Sequence, residues 1–169
     1  MKTLISLILL CLVGVASPAF AATPGEVEVG GVLREAQLIG LSGPSKPLSE
    51  YRGKPLVINV WASWCAPCRA EMGSLDRLAQ RYSKHFNVIG ISTDDYRDRA
   101  MMALRQSGTS FPNYIDSKLM MENMLGADRI PLTLLVDAQG KVLAKHYGAK
   151  QWDSPEALEM IQKAFRIKF

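Results

Sequence analysis

Residues 59–68 read NVWASWCAPC, which puts Cys65 and Cys68 directly behind an apolar run holding Trp61 and Trp64. Residues three apart share a helix face, and their separation matches the roughly 4.4–6.8 Å between Cα atoms that a disulfide spans. A bridge across so small a ring restrains little of the unfolded chain, so a purely structural staple explains this spacing badly. Zinc explains it no better. With three cysteines in the chain, four ligands would require recruiting both His85 and His146, and neither histidine shows the short Cys/His spacing of zinc modules. The spacing therefore points to a redox pair that opens and closes without unfolding its surroundings.

The flanking pattern divides the labour between the two sulfurs. Pro55 to Trp61, PLVINVW, is apolar at nearly every position, as in a strand buried on both faces of a sheet. From Pro67 onward Met72, Leu75, Leu78, Ala79 and Tyr82 recur at helical spacing. Cys65 then stands at a helix N-terminus, where unpaired N–H groups favour a thiolate and hence nucleophilic attack. Cys68 lies one turn deeper and is the candidate resolving thiol. A buried thiol needs a base, and Glu71, three residues on, shares its helix face. Spacing leaves two readings of Glu71 open: a desolvated proton acceptor for Cys68, or an ordinary exposed first-turn glutamate favoured by the helix dipole.

Turn-like residues from Thr23 to Gly31 form a loose lead-in. Leu33–Leu41 and Lys46–Leu48 around Ser42-Gly43-Pro44-Ser45 predict a hairpin, and Tyr51 to Lys54 a turn. Strands are expected at 87–92, 111–115, 132–136 and 141–147, the last two joined by Asp137-Ala138-Gln139-Gly140. Helices are expected at about 96–106, with Thr93, Asp94 and Asp95 as cap candidates, and at 117–125, ending at Gly126. A last amphipathic helix opens at Ser154-Pro155, with Leu158, Ile161 and Phe165 on one stripe. Strands and helices in this order predict an α/β sandwich, a mixed sheet with helices on both faces.

The first residues set the compartment. Met1 and Lys2 precede an uncharged apolar run from Leu4 to Ala16, then Ser17-Pro18 and the small-x-small triplet Ala19-Phe20-Ala21. This is the pattern of a secretory signal over residues 1–21, preferred to an uncleaved membrane anchor because the run is short. Cleavage would remove Cys11, and the chain from 22 to 169 would be a single exported domain with two cysteines, in a compartment where disulfides persist. That domain of 148 residues can bury a real core, and its net charge of +3 is spread without a basic block, so no nucleic-acid partner is expected. Met101, Met102, Met120, Met121 and Met124 could suggest Cu(I), but their spacing is that of helix faces and core packing. His146 reads as an exposed side chain of an alternating strand, Trp61 as packing beneath the cysteines and Trp64 as flanking Cys65.

WASWCAPC behind its apolar strand resembles the thioredoxin active-site segment. LSEYRGKPLVINVWASWCAPCRAEM (48–72), FPNYID (111–116) and DRIPLTLLVDAQGKV (128–142) are similar to the bacterial extracytoplasmic TlpA/ResA group, over about Leu33 to the last helix. The resemblance implies a thioredoxin-like three-layer sandwich with an N-terminal β-hairpin, no cofactor and no metal. It implies a reductant of disulfides in protein substrates such as apocytochrome c or copper-site assembly proteins, recharged by a membrane thiol donor of the DsbD type. It further implies a cis bond between Ile130 and Pro131 beside the cysteines, where the backbone of Ile130 and the ring of Trp64 meet the substrate chain. Thioredoxins carry aspartate where this chain has Asn59, which moves the proton role to Glu71, as in the TlpA/ResA group. Gly73 replaces a frequent proline of that group, and Leu132 a more usual threonine. The alternative functions are a copper metallochaperone using the cysteine pair as Cu(I) ligands, or a net dithiol oxidase.

Overall fold

Leu56–Trp61 is the central strand of the computed structural model, which describes residues 24–169; the signal segment read at 1–21, with Cys11, lies outside them. Every residue of this strand is buried. In chain order the strands are β1 (Gln37–Gly40), β2 (Lys46–Pro47), β3 (Leu56–Trp61), β4 (Asn87–Ser92), β5 (Asn113–Ile115), β6 (Leu132–Val136) and β7 (Val142–Tyr147). The helices are α1 (Ala66–Arg81), α2 (Arg97–Ser107), α3 (Met120–Leu125) and α4 (Pro155–Phe165), with a short 3-10 turn at Leu48–Tyr51. The described strands form one mixed sheet in the order β2-β1-β5-β4-β3-β6-β7. β3 runs parallel to β4 and antiparallel to β6, so Asn59 sits between Gly90 and Thr133. At one edge β1 pairs antiparallel with β2, Leu38 opposite Lys46.

Both faces of the sheet are covered, which is why its central strands are apolar throughout. Val57 packs with Leu75 and Leu78 of α1 and Ile161 and Phe165 of α4, while Trp61 packs with Met72 of α1 and Ala100 and Leu104 of α2. On the other face Leu56, Ile58 and Val60 meet Met121, Met124 and Leu125 of α3, together with Leu48 and Tyr51. This is the three-layer sandwich the sequence predicts.

Two helix starts differ from the expected ones for local reasons. The helix expected from Ser117 begins at Met120, because Leu119 takes a left-handed conformation and the Asp116 carboxylate accepts from the N–H groups of Met120 and Glu122. At α2 none of Thr93, Asp94 and Asp95 caps the helix: Tyr96 is the N-cap residue and makes no side-chain cap bond. Asp94 is engaged at the cysteine loop instead. Of the methionines, Met121 and Met124 are core residues, whereas Met102 and Met120 are exposed.

Candidate active site

Cys65 is the N-cap residue of α1, and Pro67 occupies its first turn, where a missing N–H costs no intrahelical bond. Cys65 and Cys68 are joined by a disulfide with Cα atoms 5.3 Å apart. The sulfur of Cys65 accepts from the Cys68 backbone N–H at 3.2 Å, so a donor of the first helical turn points at the outer sulfur. Both cysteines are buried, Cys68 completely, and both pack against Trp61 and Met72. Trp64, by contrast, is 70% exposed beside Cys65.

The loop carrying Trp64 is tied down from β4. The Asp94 carboxylate accepts from the Ser63 backbone N–H (2.8 Å), the Ser63 hydroxyl (2.6 Å) and the Ser92 hydroxyl (2.8 Å). Beneath the pair, Trp61 donates through Nε1 to Asn113 Oδ1 at 2.9 Å. Gly90 makes room for that bond: a Cβ there would fall 1.9 Å from Asn113 Oδ1 and 3.0 Å from Trp61 Nε1.

Glu71 is 1% exposed, so the exposed first-turn reading does not hold. Its Oε1 accepts from Asn59 Nδ2 at 2.8 Å; its Oε2 accepts from the Lys150 backbone N–H at 3.0 Å and Trp152 Nε1 at 2.9 Å. Burial raises its pKa above the ordinary carboxylate value, and the donors from Trp152, Lys150 and Asn59 only partly offset that rise. Asn59 Nδ2 also donates to Thr133 Oγ1 at 3.0 Å. The segment around Lys150 is held by Ser74, whose hydroxyl accepts from the Trp152 backbone N–H.

The Ile130–Pro131 peptide bond is cis, and Gly148 N–H donates to the Pro131 carbonyl at 2.8 Å. Pro131 is buried, and Ile130 is half-buried against the cluster that contains both cysteines. His146, opposite Thr133 in the sheet, meets Trp152 edge to face at 5.5 Å. The sequence reading missed Trp152, Thr133, Ser74 and the service of Asp94 to Ser63. Each acts through a contact distant in sequence, and only the paired Thr133–His146 register had a local strand signal.

The sequence profile of the Redoxin family matches residues 13–161. The chain belongs to the Redoxin family. It is 31% identical over 144 residues to the thiol-disulfide oxidoreductase ResA of Geobacillus thermodenitrificans, covering 84% of this chain and 83% of that one. It is 35% identical over 125 residues to the thiol:disulfide interchange protein DsbE of Vibrio cholerae, covering 72% and 66%. A crystal structure of a DsbE-type interchange protein from Chlorobium tepidum superposes with a TM-score of 0.75 at 28% identity, over 82% of this chain and 99% of that one. This Redoxin chain is thus a thiol-disulfide oxidoreductase with a Cys65–Cys68 pair.

Proposed function

We propose that the protein works in the periplasm as a reductant of protein disulfides, with Cys65 as nucleophile, Cys68 as resolving thiol and Glu71 as proton carrier. The observation that carries this reading is the buried carboxyl of Glu71 on the helix face of Cys68, with its pKa raised by burial. The signal-like first 21 residues support the compartment, and the similarity to ResA and DsbE supports thiol-disulfide exchange. In the reduced enzyme the Cys65 thiolate attacks a substrate disulfide, and one substrate sulfur leaves as a thiolate. Cys68 then gives its proton to Glu71, and the resulting thiolate attacks the Cys65 sulfur and expels the second substrate sulfur. Two electrons pass to the substrate, and the proton on Glu71 is free for a departing thiolate or for water.

The substrate strand lies along Ile130 beside Pro131, and the exposed Trp64 ring, next to Cys65 in the chain, offers it an apolar contact. Extracytoplasmic proteins that need free cysteines, apocytochrome c or copper-site assembly proteins, are the substrates, and a membrane thiol donor of the DsbD type restores the dithiol.

Replacing Cys68→Ser removes the resolving thiol, so substrate proteins accumulate as mixed disulfides on Cys65. Absence of such adducts, with copper retained on the purified protein, would favour the metallochaperone. Titration against glutathione tests direction: a potential near that of thioredoxin, about −270 mV, fits a reductant, whereas one near about −120 mV makes substrate reduction implausible.

A further inference from the structure

Alternate side chains of β3 face α1. Val57 packs with Leu75 and Leu78, and Trp61 packs with Cys65, Cys68 and Met72. Asn59 lies between them in the strand, fully buried, and reaches α1 at Glu71, one turn beyond Cys68. Both hydrogens of its amide are used, one toward Glu71 Oε1 and one toward Thr133 Oγ1. These partners fix the amide's orientation, since turning it over would set its oxygen against the carboxylate. Its oxygen, Oδ1, is buried with no donor; it is the one such side-chain atom among the described residues. Native structures seldom leave a buried acceptor unpaired, so an acceptor of this kind calls for a donor in some state of the molecule.

Reduction creates one. When a partner dithiol reduces the pair, the Cys65–Cys68 bond breaks, two electrons and two protons enter, and the partner leaves as a disulfide. Cys68, fully buried against Trp61 and three residues before Glu71 on α1, then carries a new S–H. We propose that in the dithiol state Asn59 Oδ1 accepts a hydrogen bond from the Cys68 thiol, so that one amide bridges the resolving thiol to the Glu71 carboxylate.

Asn59 is then a positioning residue: it holds the proton of Cys68 in line with its acceptor and satisfies its own oxygen only when the pair is reduced. This stabilises the dithiol and makes the disulfide easier to reduce. The proposal deepens the proton-transfer reading above and rests on its placing of Cys68 beside Glu71.

The direct test is carbonyl NMR on the full chain labelled at asparagine side chains, compared between disulfide and dithiol. The Asn59 carbon shifts downfield on reduction. An unmoved resonance overturns the proposal, and is also the result if a buried water satisfies Oδ1 in both states. This test needs no substitution and stands even if variants at position 59 fail to fold.

Asn59→Leu gives a second readout. The S–H stretching band of Cys68, isolated in a Cys65→Ser chain and assigned by its loss with Cys68→Ser, moves to the free-thiol position. The equilibrium with glutathione shifts about tenfold toward the disulfide, about 30 mV for two electrons. A band that does not move contradicts the proposal. Glu71→Gln separates the two readings: normal resolution in that variant removes the proton role of Glu71, whereas slowed resolution with an unmoved Asn59 carbon removes only the thiol acceptor.

Discussion

Trp152 donates a 2.9 Å hydrogen bond to Glu71, from the segment before the last helix to the side chain one turn beyond Cys68. Both residues are buried, so the indole is a fixed donor to a largely desolvated carboxylate. Burial raises the proton affinity of Glu71, and a donor 81 positions away in sequence partly offsets that rise.

Trp152→Phe keeps most of the packing and removes that donor. The ionised Glu71 loses a charge-assisted bond of about 1.5–3 kcal/mol, so its pKa rises further. The alkylation profile of the reduced pair should shift to higher pH, and urea unfolding at neutral pH should show a loss of that order.

Glu71 also shapes stability against pH. Its pKa is higher in the folded protein than in the unfolded chain, so the native state holds this proton longer. Its contribution to stability is therefore fully present below the unfolded value and is lost as pH rises through the folded one. Subtracting the Glu71→Gln stability profile from that of the native sequence isolates this slope, which should fall with rising pH across that window.

Asp94→Ala strips the Ser63 amide and two hydroxyls of their shared acceptor. Leaving the buried Ser92 hydroxyl unpaired costs about 1–3 kcal/mol, the half-buried Ser63 donors cost less, and the Trp64 loop should loosen. Chemical denaturation measures the first effect, and faster alkylation of reduced Cys65 the second.

Gly90→Ala forces a methyl group into the Trp61–Asn113 contact. Overpacking of this kind costs about 1–3 kcal/mol, and the melting temperature should fall accordingly. Indole N–H exchange at Trp61 should speed up as its bond to Asn113 is lost.

Much of the fold was legible because it is written locally. The apolar, β-branched run 55–61 suits a strand covered on both sides, and the three-four spacing after Pro67 suits a helix, which puts Cys65 at its cap. Glu71 was ambiguous for a physical reason: α1 gives it a face but not a cover. The cover comes from Lys150 and Trp152, brought over α1 by the return of β7 and the start of α4, and nothing near position 71 announces them. Asp94 looked like a helix cap because cap residues and loop anchors use the same short carboxylate, and only the adjacency of β3 and β4 chooses Ser63 as its partner. The late start of α3 has a similar origin in the turn at Leu119.

The central claim is that Glu71 takes the proton of Cys68 when the mixed disulfide is resolved. It is tested most directly by loading Cys65 with a peptide thiol and timing its release by Cys68 across pH, with and without Glu71→Gln. A general base of this kind is worth about 10²–10⁴-fold, so the substitution should slow release by at least about 100-fold near neutrality and abolish the pH dependence due to Glu71. An unchanged rate and an unchanged pH profile would contradict it.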